Sequence, residues 1–257
     1  MLYELLFLFA AGFFGGVLNS VAGGGSFITF PALLFVGVPP VSANATNTFA
    51  SCAGYFSGAY AYRADLYAHK RELPQIIIIS LIGGVVGAWL LLQTPESLFR
   101  EAIPWLLLFA TLSFIFGGKI NSFLKHSVSH HRHASLLGHL LLFLVLLGVC
   151  VYGGFFNAGL GIIVLSYLAL AGHSNINAMN GMKLLISSAV SLIAIALFVY
   201  DGVIAWYEGG VVLCGTWVGG YIAAHIAKQL SQQHVKAFVI LISCGVTGYF
   251  FMDTYVY

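Results

Sequence analysis

Lys183 is the residue whose chemistry stands out in this sequence, because it lies about two turns inside an apolar segment. An ammonium group within a membrane is costly unless it is paired. All carboxylates fall at or near predicted helix ends or in loops: Glu4, Asp65, Glu72, Glu96, Glu101, Asp201, Glu208 and Asp253. A bound substrate anion could therefore be the counter-ion of Lys183, and the alternative is that its side chain snorkels to the interface. The same distribution argues against a cation transporter.

Two glycine-rich breaks could bind the same anion. The first lies in NSVAGGGSFITFP (19–31), with Gly23, Gly24 and Gly25 directly before an apolar piece that begins near Ser26. The second is NAGLG (157–161). Bare backbone N–H groups at the positive end of a half-helix form an anion-binding nest. Glycine also permits close helix packing, but two clusters at related positions favour a binding site.

Polar side chains surround both breaks and the first turns of the helices that follow. They either face a substrate or cap helix ends, which is the usual role of Asn and Thr at such places; Asn177 is one of them. The sequence predicts a substrate-binding set of Asn19, Gly23, Gly24, Gly25, Ser26, Asn44, Thr46, Asn47, Asn157, Gly159, Gly161, Asn180 and Lys183.

A histidine-rich segment, KHSVSHHRHASLLGH (125–139), supplies the competing hypothesis. Its five histidines include the pairs His126/His130 and His130/His133, which could bind Zn²⁺ or Ni²⁺ on a helix. A transition-metal transporter that uses this loop is therefore the alternative function, although loop histidines are more often simply solvated. The sequence has no HExxH, P-loop or GxGxxG motif and no nucleophile–base pair. We expect neither an enzyme nor a cofactor.

The composition determines which elements must position these residues. Of 257 residues, 60% are hydrophobic and 7% charged, whereas soluble domains carry about 25% charged residues. This predicts an all-α polytopic protein of the inner (plasma) membrane, with the lipid bilayer and a small anion as partners. The net charge of +2 offers no basic field for nucleic acid. A homo-oligomer is possible, and the sequence leaves the oligomeric state open.

Apolar runs of about 20 residues, the length that crosses a bilayer, predict eight transmembrane helices. Two shorter pieces, 26–37 and 160–172, each follow a break and end in glycine, at Gly37 and Gly172. At about 1.5 Å per residue they are too short to span the membrane comfortably. We interpret both as half-helices that fold back within the membrane.

The two halves share one plan. Gly159 follows Gly24 by 135 positions, and the same offset relates Gly172 to Gly37. The basic residues fall after different helices in the two halves: Arg63, Lys70, Arg71, Lys119, Lys125 and Arg132 in the first and its loop, Lys228 and Lys236 in the second. By the positive-inside rule, this predicts inverted repeats over 1–118 and 136–257, joined by a His-rich loop at 119–135. Secondary transporters with broken helices commonly have this architecture.

Three segments resemble a known family. They are GFFGGVLNSVAGGGSFITFPALLFVGVPPVSANATNTFAS, YGGFFNAGLGIIVLSYLALAGHSNINAMNGMKLLISS and FVYDGVIAWYEGGVVLCGTWVGGYIAAHIAK. The first and second are similar to the paired signatures of the TauE/SafE family of sulfite and organosulfur-anion exporters, and the third to the segment that follows. The resemblance covers nearly the whole chain. It implies an inner-membrane transporter, with export expected, for sulfite, a sulfonate, thiosulfate or a related anion. The His-rich loop departs from the family pattern.

Overall fold

The computed structural model describes residues 2–21, 23–128, 136–226 and 232–256, and these form helices and no strand. The helices are α1 (Leu2–Val21), α2 (Ser26–Phe35), α3 (Pro40–Ala61), α4 (Arg63–Tyr67), α5 (Leu73–Gln93), α6 (Glu96–Val128), α7 (Leu136–Phe155), α8 (Leu160–Leu170), α9 (Ile176–Tyr200), α10 (Trp206–Ile226) and α11 (Gln232–Tyr255). The all-helical prediction is thus confirmed for the described residues.

Six helices, α1, α5, α6, α7, α9 and α11, contain segments long and apolar enough to cross a membrane. Helices α3 and α10 have 22 and 21 residues and are as long as these six, and α3 is the less apolar of the two. In α3 the reason is a buried polar face that includes Asn44, Thr48 and Ser51. Eight crossings therefore remains a prediction that depends on α3 and α10.

The two half-helices begin where the sequence predicts. Helix α2 has 10 residues and α8 has 11, which at about 1.5 Å per residue covers roughly half of the hydrocarbon thickness. Both end in the same turn, with Gly37 at φ +87° and Gly172 at φ +92°. The next residue donates back to the helix in each case, from Val38 N to Leu33 O and from His173 N to Leu168 O. This is a Schellman-type helix end, which requires a left-handed residue.

Helix α6 is longer than the sequence analysis predicts. The predicted first repeat ends at 118, whereas α6 continues to Val128, so the first part of the predicted connecting loop is helical. Residues 119–128 contain neither Gly nor Pro, and the chain therefore has no residue there that would stop a helix. The remainder of the predicted His-rich loop, 129–135, lies outside the described residues.

Helices from the two halves of the chain pack against each other in matching pairs. Helix α1 packs against α10 and α7 against α5, while α8 contacts α6 and α2 contacts α11. Glycine allows the closest approaches. A Cβ atom at Gly16 would collide with the backbone of Thr216, and one at Gly87 would collide with the backbone of Val151. The packing role of glycine therefore applies to these helix pairs.

Candidate functional site

A small cavity lies where the two glycine-rich breaks meet. Its volume is about 30 Å³, which accommodates about two water molecules. The structure brings eight of the predicted site residues to its lining: Asn19, Gly23, Gly24, Ser26, Asn157, Gly159, Gly161 and Lys183. The remaining lining residues are Tyr55, Leu160, Ile162, Leu165, Leu184 and Ser187. Residues more than 130 positions apart in sequence therefore share one site.

The backbone at each break adopts conformations that favour glycine. Gly23 and Gly24 have φ angles of +74° and +102°, and Gly159 has a φ angle of +78°. A Cβ at Gly23 would meet no atom within 4 Å, so this residue borders open space. Helix α2 starts just after the first break and α8 just after Gly159. The positive ends of both half-helices therefore lie at the same cavity.

Lys183 reaches this cavity from α9, two turns after that helix begins. Its Nζ atom lies 3.3 Å from Asn180 Oδ1, to which it donates a hydrogen bond. Its methylene stem passes over Gly161, where an added Cβ would lie 3.3 Å from Lys183 Cδ. Within the described part of the chain Lys183 makes no ion pair. The site thus contains a cation without a protein counter-ion among these residues.

Asn157 connects the second break to two surrounding helices. Tyr55 of α3 donates a hydrogen bond of 2.8 Å to Asn157 Oδ1, and Asn157 Nδ2 donates one of 3.1 Å to Ser191 Oγ in α9. Tyr152 Oη also donates to the backbone oxygen of Ala158 at 2.8 Å. Both the oxygen and the nitrogen of the Asn157 side-chain amide therefore form hydrogen bonds that fix the second break in place, and the residue is buried.

Two polar residues that line the cavity, Tyr55 and Ser187, are absent from the predicted site. A signal for Tyr55 was present, because α3 carries polar residues at Asn44, Thr48, Ser51 and Tyr55, and spacings of three or four residues place them on one helix face. Ser187 follows Lys183 by four positions and so lies on the same side of α9. The apolar lining residues carry no signal that separates them from ordinary lipid-facing or core residues.

Five predicted site residues do not line the cavity. Gly25 is a close-packing residue, because a Cβ there would collide with the backbone of Gly15. Asn180 Oδ1 accepts the hydrogen bond from Lys183 described above. Asn177 also lies elsewhere: it is exposed, and its backbone N–H is capped by Asn175, whose Oδ1 accepts at 2.9 Å.

The other three, at the start of α3, hold neighbouring elements in place. Asn44 Nδ2 donates to the oxygen of Phe155 at the end of α7, at 2.8 Å. Thr46 Oγ1 accepts from Ala205 N at 3.0 Å, and Asn47 Oδ1 accepts from the hydroxyl of Thr29. These bonds satisfy backbone or hydroxyl groups at irregular places, where an unpaired polar group would be costly.

Comparison with known proteins is consistent with this architecture. The family profile described as "Sulfite exporter TauE/SafE" matches residues 8–250. The "Probable membrane transporter protein ORF9" of Sinorhizobium sp is 28% identical over 94% of this chain and 90% of its own length. A "Probable membrane transporter protein" of Haemophilus influenzae is 28% identical over 95% of this chain and 93% of its own length. The "Probable membrane transporter protein YfcA" of Escherichia coli K12 is 26% identical over 96% of this chain and 90% of its own length. No solved structure matches the chain.

Proposed function

Because the chain belongs to the sulfite exporter TauE/SafE family and is a multi-pass membrane transporter, we propose that it exports a small sulfur-containing oxyanion across the inner membrane. Sulfite, a sulfonate and thiosulfate are the substrates of this class that we consider. One observation carries the proposal: the N-termini of two half-helices and the Lys183 side chain lie at the same cavity. The family establishes transport, and the cavity is our assignment of where the anion binds.

The charge at this cavity suits an anion. Each helix N-terminus is equivalent to roughly half a positive charge, and Lys183 adds an ammonium group. Among the described residues, none of those that line the cavity is Asp or Glu. A sulfur oxyanion presents several oxygen acceptors around one centre, which matches N–H donors that come from two sides. The same positive charges would repel a metal cation.

The cavity is smaller than the proposed substrate. A volume of about 30 Å³ accommodates about two water molecules, whereas sulfite has four non-hydrogen atoms. We therefore propose that the site widens when the substrate enters. The lining comes from both halves of the chain, so a small movement of one half against the other changes the width of the site.

The packing between halves supports the predicted inverted repeats. The first helix of each half packs against the third long helix of the other, as α1 on α10 and α7 on α5. The fourth long helix of each half contacts the half-helix of the other, as α6 on α8 and α11 on α2. Two halves related by a pseudo-twofold axis would make such exchanged contacts. Alternating access in transporters of this kind moves one repeat against the other around a central site.

The test is transport by the purified protein in proteoliposomes. Labelled sulfite should move in a saturable manner, and unlabelled thiosulfate or a sulfonate should compete if the site accepts the whole class. Sulfate and Ni²⁺ serve as the anion and cation comparisons. Lys183→Ala and Gly24→Leu variants, shown by membrane fractionation to be inserted, should lose most of this transport. Wild-type rates in both variants would exclude the proposed site, and Ni²⁺ movement without sulfite movement would exclude the proposed function.

A further inference from the structure

A second cluster of ligand-type side chains lies away from the cavity. His69 and Glu72 come from the link between α4 and α5, and His173 comes from the link between α8 and α9. One ligand atom from each residue lies within 4.8 Å of the other two. His69 and His173 stack edge to face, with their ring centroids 5.2 Å apart. Two segments that are about 100 positions apart in sequence thus bring two imidazoles and one carboxylate together.

We propose that His69, Glu72 and His173 form a binding site for one divalent transition-metal ion, with Zn²⁺ as the best match. Imidazole nitrogen and carboxylate oxygen are common ligands of this ion. Tetrahedral ligands at about 2.0–2.1 Å from Zn²⁺ lie about 3.3 Å from one another. His69 Nδ1 lies 3.6 Å from Glu72 Oε1, and His173 Nε2 lies 3.4 Å from Glu72 Oε2. These two distances end on different oxygens of Glu72, so a carboxylate that binds through one oxygen has one edge of nearly the required length, while the three ligand atoms all lie within 4.8 Å of one another.

The local structure positions these ligands before any metal binds. The backbone N–H of Glu72 donates to the oxygen of His69 at 2.9 Å, which forms a turn that puts both side chains on one side. The Schellman-type turn at Gly172 directs His173 towards them, and the side chain of His173 is only 14% exposed. Glu72 is about half exposed, which leaves an open coordination position for water.

Both histidine–glutamate contacts also have the geometry of ion pairs, which would need protonated imidazoles. A metal ion binds the neutral imidazole, so metal titration distinguishes the two arrangements. None of the three residues belongs to the histidine-rich segment 125–139 or lines the anion cavity. An ion bound here would tie the end of α8 to the start of α5.

The experiment uses full-length, untagged protein in detergent, washed with a chelator, and Co²⁺ as a spectroscopic probe. The background has Gln in place of His126, His130, His131 and His133, so that the histidine-rich segment contributes no ligand. We expect one equivalent of Co²⁺ per chain with visible d–d absorption, and displacement of this Co²⁺ by Zn²⁺. Zn²⁺ should also raise Tm, because it binds the folded state.

Variants decide whether the bound ion lies at this cluster. His173→Ala and Glu72→Gln should weaken Co²⁺ binding by at least about tenfold, since even outer-shell substitutions typically cost 10–100-fold. His139→Gln changes an exposed histidine and should leave binding unchanged. His69→Cys should retain the ion and add a sulfur-to-cobalt charge-transfer band.

The proposal is overturned if the background protein binds no stoichiometric Co²⁺, or if His173→Ala binds it as tightly as the background does. Should His173→Ala fail to fold, His69→Cys gives the answer, and a Co²⁺-saturated His69→Cys without the charge-transfer band also excludes the site. These measurements do not involve sulfite. Their failure would therefore leave the proposed anion transport untouched, and failure of sulfite transport would leave the metal site untouched.

Discussion

Replacing Lys183 with Met removes the one charged side chain among the described residues that line the cavity, with little change in side-chain length. In the structure the Nζ atom has only an Asn180 oxygen at 3.3 Å as a side-chain hydrogen-bond partner among the described residues. A bound oxyanion would thus be the partner that satisfies the ammonium charge. We expect Lys183→Met to weaken sulfite binding and to leave the fold intact.

The expected magnitude follows from a single charge-assisted contact. A hydrogen bond to a charged group contributes about 1.5–3 kcal/mol net. At about 1.4 kcal/mol per tenfold change in Kd, its loss should raise the Kd for sulfite by about 10- to 150-fold. The full Coulomb energy at about 4 Å with an effective dielectric constant of about 20 is about 4 kcal/mol. Desolvation of the ammonium and of the anion offsets part of that energy, so we expect the smaller effect.

The assay is equilibrium binding of labelled sulfite to purified protein, with Tm measured on the same samples. Lys70→Met is the matched control, since Lys70 lies in the exposed link before α5 and its Nζ donates to Tyr67 Oη at 3.3 Å. The control should keep the wild-type Kd. Lys183→Met without ligand should be at least as stable as the wild type, because it removes an unpaired cation from a partly buried site.

Three results would refute this reasoning. An unchanged Kd for sulfite in Lys183→Met would mean that the ammonium group does not contact the substrate. A lower Tm with an unchanged Kd would mean that Lys183 contributes to folding and not to binding. A Kd raised equally in Lys70→Met would indicate a general effect of surface charge.

Three further predictions concern the breaks and the packing. Gly24→Ala should lower the free energy of unfolding by about 1–3 kcal/mol, because Gly24 has a φ angle of +102°. The control is Gly54→Ala, in α3 with open space around it, which should not lower the free energy of unfolding. Asn157→Asp keeps the shape of a buried residue but adds negative charge beside the cavity, so it should abolish sulfite transport, and transport at the wild-type rate would show that no anion passes there. Gly87→Val should lower Tm sharply, because any Cβ collides with the α7 backbone at Val151, and an unchanged melting curve would contradict that packing.

Much of the fold could be predicted because hydrophobic run length is a strong signal. The half-helices α2 and α8 start where their glycine-rich breaks predict, and Gly37 and Gly172 end them nearby. The end of α6 could not be predicted from hydropathy, because six of the ten residues 119–128 are polar and yet the segment remains helical. Polar residues indicate where a helix leaves the membrane, but they do not end the helix.

The site was harder to predict because the type of a residue and its position in the sequence do not reveal which way its side chain points. Asn44 and Asn157 are both buried asparagines near breaks, but one holds the end of α7 and the other lines the cavity. Tyr55 could have been found from the polar stripe on α3. The cluster of His69, Glu72 and His173 could not, because it depends on how two distant links meet, which no local pattern records.

Selenite, a heavier analogue of sulfite, offers the most direct test of where the anion binds. Its selenium can be located by anomalous diffraction from crystals of the full-length protein. The account predicts one selenium peak between the residues 23–26 and 159–161, with its oxygens about 2.7–3.2 Å from backbone N–H groups of both breaks and from Lys183 Nζ. A selenium peak elsewhere, or crystals at saturating selenite with no peak between the two breaks, would contradict it.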